Sequence, residues 1–128
     1  MMKMLSSGRG FSLVELLVAI VITLVGLLGL LQASQLATTE NVKTGIRDEA
    51  VGVGEEYVRK MEFKRYEAMT SVTHYEPSRL RGFAKSDFYK VTSTIFETMS
   101  SSKRLVVKVE WAWRNQPASH EVTSLIKK

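Results

Sequence analysis

The chain has 128 residues, a formal net charge of +5 and 45% hydrophobic residues. Once a long apolar stretch near the N-terminus is set aside, that length excludes more than one soluble domain. The charge is too mild to point to nucleic acid by itself, and the absence of cysteine excludes a disulfide clamp.

The first ten residues form a short basic leader, with Lys3 and Arg9, ending in Gly8-Arg9-Gly10. An apolar run follows from Phe11 to Leu31, carrying one carboxylate, Glu15, near its start. At about 1.5 Å rise per residue such a run spans about 30 Å as a helix, enough to cross a bilayer. Backbone polar groups in lipid need internal partners, so a helix is the conformation expected over 11–31. The run is too long for a secretory signal and passes directly into a polar helix. The basic residues before it place the leader in the cytoplasm and the C-terminus outside. Glu15 is the odd feature. A carboxylate at mid-bilayer costs about 2.5–3.5 kcal/mol, less near the interface. Taken alone it reads equally as a tolerated interfacial residue or as a carboxylate kept for a partner cation.

The residues around it decide between the two. Gly10-Phe11-Ser12-Leu13-Val14-Glu15-Leu16 resembles the processing site of type IV prepilins, shared by pilins and the pseudopilins of type II secretion. The resemblance implies cleavage after Gly10 by a prepilin peptidase and methylation of the new amino terminus at Phe11. It also implies that Glu15 serves assembly. Loss of Lys3 and Arg9 with the leader leaves 16 Lys+Arg against 13 Asp+Glu, a mature charge of +3. Many major pilins carry a disulfide-bounded loop near the C-terminus; a chain without cysteine fits a minor pilin or pseudopilin better. The wording Val25-Gly26-Leu27-Leu28-Gly29-Leu30-Leu31 is similar to PilV-type minor pilins, the type IV pilus modification proteins. Gly26 and Gly29 share a helix face, which reads equally as a close-packing surface in lipid or as local flexibility. Where many pilins have a proline, this chain has Gln32.

Beyond Leu31 the helix continues as an amphipathic segment, 32–66. Leu36, Val42, Ile46, Ala50, Val53, Tyr57 and Met61 recur at helical spacing as one apolar stripe, with most charges off it. Gly45, Gly52 and Gly54 each cost about 1 kcal/mol against alanine and are the expected points of a bend or break. Gly52-Val53-Gly54 lacks a preceding strand and a third glycine, so it is not a phosphate loop. A connecting loop is expected over 70–85, broken by Pro77, Ser78 and Gly82. Three strands follow: 88–98, 104–114 with alternating Leu105, Val107, Val109, Trp111 and Trp113, and 120–126. Turns are expected at 100–103 and 115–118. An antiparallel sheet with one apolar face needs cover, and the helix stripe is the only large apolar partner. The expected fold class is α+β and type IV pilin-like, a long N-terminal helix packed on a small three-stranded antiparallel sheet. The expected divisions are a leader 1–10, a transmembrane segment 11–31, its amphipathic continuation 32–66, and loop plus sheet 67–128.

Catalytic chemistry has little support. His74 and His120 are the only histidines, no serine lies in a nucleophile elbow, and neither a metal nor a cofactor is implied. Trp111 and Trp113 alternate on a strand and read as core or its rim rather than a stacking platform. Lys64, Arg65, Arg79 and Arg81 form a modest basic cluster, read as a solvated face ahead of a DNA-capturing patch. The leading expectation is a non-enzymatic minor pilin that helps initiate or modify pilus assembly. The alternatives are a small pseudopilin, a competence pilin and an unrelated single-pass protein. Expected partners are the prepilin peptidase, other minor and major pilins and inner-membrane lipid, with the C-terminal domain periplasmic, no small-molecule substrate and no nucleic acid.

Overall fold

The computed structural model describes residues 10, 12–64, 66–83, 85–99 and 101–128. One helix, α1 (Leu13–Glu62), is followed by a 3-10 turn at Tyr66–Ala68 and four strands: β1 (Val72–Glu76), β2 (Tyr89–Met99), β3 (Ser102–Trp113) and β4 (Gln116–Lys127). The chain divides into two units, Met1–Glu40 and Asn41–Lys128.

In the first unit the side chains of α1 from Leu13 to Leu31 are exposed, and this part of the helix is long and apolar enough to cross a membrane. In the second unit the remainder of α1 covers a four-stranded antiparallel sheet of order β1-β2-β3-β4. The α+β class is as expected; the strand number is not. β1 lies in the stretch read as a loop, because Val72-Thr73-His74-Tyr75-Glu76 is too short to show a period and is secured from outside. Val72 pairs with Ser93, and the buried Ser93 Oγ both accepts from the Val72 N–H (3.1 Å) and donates to its carbonyl (3.0 Å). The last turn also differs. β3 and β4 join through Arg114 and Asn115, both with positive φ, the pattern of a two-residue type I′ hairpin. β4 therefore begins at Gln116, four residues earlier than periodicity placed it.

The core follows from two periods meeting. On β3 the odd residues Leu105, Val107 and Val109 are buried, as are Tyr89, Val91 and Ser93 on β2. Against them α1 buries Ile46, Ala50, Gly54, Val58 and Met61. The stripe read from sequence is thus shifted toward Val58 and Gly54, with Val42, Val53 and Tyr57 at its margins and Leu36 65% exposed outside it. Trp111 and Trp113 are half-buried beside this core, with the Trp111 ring 6.2 Å from that of Tyr89. The helix is unbroken through Gly45, Gly52 and Gly54, against the expected interruption. Gly54 has a packing reason: a Cβ there would lie 3.3 Å from Val109 Cγ2 and 3.5 Å from Val122 Cγ2. Gly52 faces open space.

These two glycines make opposite demands. In the full chain in detergent, Gly52→Ala should raise stability by up to about 1 kcal/mol through helix propensity. Gly54→Leu overpacks the helix–sheet contact and should cost about 1–3 kcal/mol or more. Thermal unfolding followed by circular dichroism checks both signs.

Candidate functional site

The start of α1 is built by its own sequence. Ser12 is the N-cap: its carbonyl accepts the first helical bond from the Leu16 N–H (3.2 Å). The Ser12 hydroxyl accepts from the Glu15 N–H (3.2 Å), and the Ser12 N–H donates to Glu15 Oε2 (3.0 Å). This is a complete capping box, two otherwise unpaired N–H groups satisfied reciprocally. The box bends the Glu15 carboxylate back toward the residues that precede the helix. Among the described residues its second oxygen takes no hydrogen bond. A carboxylate at this end also suits the positive pole of the helix. The cue, Ser-x-x-Glu before an apolar run, stands in the sequence at Ser12 and Glu15 and was missed beside the charge of Glu15 itself.

Gly10 is exposed, has no helical structure and has open space where a Cβ would stand. Phe11, the residue implied for methylation, and the leader before Gly10 lie outside the described residues. Past the cap, Leu13, Val14, Leu16, Leu17, Val18 and Ile20 head the exposed apolar surface. The Thr23 hydroxyl donates to the Ala19 carbonyl (2.8 Å), so this hydroxyl is satisfied inside the helix. Gly26 and Gly29 have open space around them.

Residues 5–31 match the family model for the prokaryotic N-terminal methylation motif. That match supports a type IV pilin-like protein, with processing by a prepilin peptidase, membrane anchoring and assembly with other pilins. No curated protein and no solved structure matches the chain.

The second unit holds a polar cluster that sequence reading did not find. Glu49, on α1, accepts from the Ser78 hydroxyl (2.6 Å), the Arg79 N–H and the Tyr89 hydroxyl (2.8 Å). Burial acts to raise the Glu49 pKa, but the three donors and the nearby Arg79 guanidinium outweigh it and hold the carboxyl below its usual value. Burial first, then the Glu49 carboxylate, push the Tyr89 phenol upward. Its partners are 29 and 40 residues away in sequence, so no local spacing could have announced them. The cluster clips the 77–80 loop to α1. Among the described residues no group of three or more His, Asp or Glu side chains could hold a metal. His74 lies 3.3 Å from Glu76 and 4.8 Å, ring to ring, from Tyr57. His120 is half-buried on β4. Of the basic cluster, the Arg79 guanidinium sits 3.6 Å from Glu56, and Arg65 lies outside the described residues.

Two expectations follow. Ser12→Ala should weaken the first turn of α1 by about 1 kcal/mol, read as faster amide exchange at residues 13–16 in micelles. Glu49 has a depressed folded pKa, so its stabilisation is present above the unfolded carboxylate value and is lost as pH falls through the folded one. Acid unfolding of Glu49→Gln should therefore be flatter than wild type in that window, with a lower melting temperature at neutral pH.

Proposed function

We propose that the chain is a minor pilin of the type IV pilus system, matured by cleavage after Gly10 and methylation of Phe11, that helps initiate or modify pilus assembly. The methylation-motif match at 5–31 carries the reading. The capping box supports it, because it uses only atoms of Ser12 and Glu15 and so survives cleavage at Gly10. The small size, the absence of cysteine and the Val25–Leu31 wording favour a PilV-type subunit over a major pilin. The same features fit a small pseudopilin of type II secretion, the alternative reading.

The proposed mechanism is charge pairing at the membrane boundary. Cleavage leaves a protonated secondary amine on Phe11, adjacent to the capped turn. Glu15 spends one oxygen on its own cap and keeps the other for an amine, its own or that of a neighbouring subunit. In a low-dielectric setting the pair is favourable only when both charges meet, so a subunit displaced along the axis leaves a charge unpaired. Glu15 thereby acts as a register device in assembly. Gly26 and Gly29 let a neighbouring helix approach closely in the lipid. The unit Asn41–Lys128 is then periplasmic and the leader cytoplasmic, by the positive-inside rule.

Intact-mass measurement should show loss of Met1–Gly10 plus one methyl group, and Gly10→Val should abolish both. Glu15→Ala should still insert and be cut, yet fail to co-purify with partner pilins. Normal piliation in that variant would reduce Glu15 to an interfacial carboxylate. Loss of twitching on deletion supports the pilus reading; loss of enzyme secretion with intact pili supports the pseudopilin.

A further inference from the structure

Glu76 and Tyr89 are the last paired residues of β1 and β2, so residues 77–88 form one long loop whose two ends the ladder holds together. Among the described residues of this loop, each hydrogen bond that leaves it ends on Glu49 of α1. The Ser78 hydroxyl and the Arg79 N–H both donate to that carboxylate. The loop's other hydrogen bonds stay within it: from the Leu80 N–H to the Ser78 hydroxyl (3.2 Å), from the Phe83 N–H to the Leu80 carbonyl (3.2 Å) and from the Lys85 N–H to the Phe83 carbonyl (2.7 Å). The further polar tie to α1 among these residues is an exposed ion pair, Arg79 with Glu56 at 3.6 Å, and such pairs hold little in water.

The packing of α1 on the sheet does not depend on the same carboxylate. The Tyr89 hydroxyl is within reach of the Ile46 carbonyl (3.1 Å) as well as of Glu49, so it keeps an acceptor on α1 when Glu49 is lost. Ile46, Ala50, Val91, Leu105 and Val107 stay buried beneath it. The loop has no such second acceptor. Its apolar hold is Leu80 and Phe83, both half-buried at the margin of the core, with Leu80 Cδ1 3.9 Å from where a Cβ on Gly45 would stand. The same loop supplies Gly82, Phe83 and Phe88 to one side of a cleft of about 370 Å³, with Ala112, Trp113 and Arg114 on the other.

We propose that Glu49 is a latch: loss of its charge releases residues 77–83 from α1 as a unit and opens the cleft beside Trp113, while the helix and the sheet stay packed. A neutral carboxyl turns one oxygen into a donor, so it no longer serves three donors as the carboxylate does. Its remaining bonds lose the strength that charge gives them, and the attraction of the Arg79 guanidinium goes with the charge. The groups that face Glu49 are Ser78 and Arg79 from the loop and Tyr89 from β2. Arg79 stays charged. The Tyr89 phenol, pushed upward by burial and then by Glu49, and with Ser78 also beside it, stays a neutral donor. Glu56 and its partner Lys60 face the loop only through Arg79. Burial acts to raise the Glu49 pKa and its donors outweigh that, so release belongs to pH below the usual carboxylate range. The inference does not depend on the pilus reading, since it rests on unit Asn41–Lys128 alone.

The test is amide hydrogen exchange of the full chain in detergent micelles, read by mass spectrometry and divided at each pH by the exchange of the unfolded chain. In the wild type, protection of segment 78–83 should fall about tenfold or more as pH drops below the carboxylate range, the order expected when charge-assisted bonds become neutral ones. Segments 91–95 and 105–109 should keep theirs through the same range. Glu49→Gln should show the open loop already at neutral pH, with trypsin cutting after Arg79 and Arg81 faster by the same factor of about ten. Glu56→Gln, which removes only the exposed ion pair, should stay within about twofold of wild type in both readouts. If Glu49→Gln does not hold its strands, the wild-type pH series decides alone. Loss of protection in loop and strands at one and the same pH overturns the inference. So does wild-type protection of 78–83 in a folded Glu49→Gln chain, or opening by Glu56→Gln equal to that by Glu49→Gln.

Discussion

A sheet with one apolar face has to be covered, and in this chain the cover is one stretch of one helix. Ile46, Ala50, Gly54, Val58 and Met61 meet Tyr89, Val91, Leu105, Val107 and Val109, and every other feature of the second unit is arranged around that contact. Packing at organic-crystal density leaves little room for a side chain at Gly54, where Val109 and Val122 close in. The helix accepts a poor helix former there because the close approach buries more apolar area than alanine propensity would return. Among the described residues nothing covers the N-terminal part of the same helix. Its apolar side chains from Leu13 to Leu31 are exposed, which is the expected condition of a surface made for lipid or for other helices.

The polar groups that are buried hold the irregular parts of the fold in place. Ser93 takes over the backbone of Val72 and so secures the short edge strand β1. Glu49 gathers a hydroxyl from the loop, a hydroxyl from the sheet and a backbone N–H, and draws the 77–80 loop onto α1. Lys103 does the same for the 3-10 turn, donating to the Tyr66 carbonyl (3.1 Å) and lying 4.5 Å above the Tyr66 ring. At the far end of α1, Glu62 accepts from the Ser124 hydroxyl (3.0 Å) and ties the helix to β4. Each of these groups joins two segments that lie far apart in sequence.

At the other end of the helix the carboxylate of Glu15 closes the cap, and the proposed assembly role falls on the same group. A lone charge at a membrane boundary is tolerable when part of its hydrogen-bonding capacity is met internally, and Ser12 meets it. The cap defines where the helix begins. Local helix chemistry and the proposed assembly chemistry thus depend on the same two residues.

Features governed by short-range rules were legible in the sequence: the apolar helix with Glu15 near its start, the pilin-like N-terminal motif within 5–31, the alternation along β3, and the helical stripe. Each is a pattern within one element, where spacing alone decides which side chains share a face. Tertiary structure decided the rest. β1 exists because Ser93 and β2 complete its hydrogen bonds, which five residues of its own could not signal. The stripe rotates toward Val58 and Gly54 because the sheet selects which part of an apolar arc it can pack against. Glu49 became a buried junction only when Ser78 and Tyr89, far apart in sequence, were brought to it. The place of β4 at the edge follows from the order of the strands, and pairing order is a property of the folded sheet that no single strand carries.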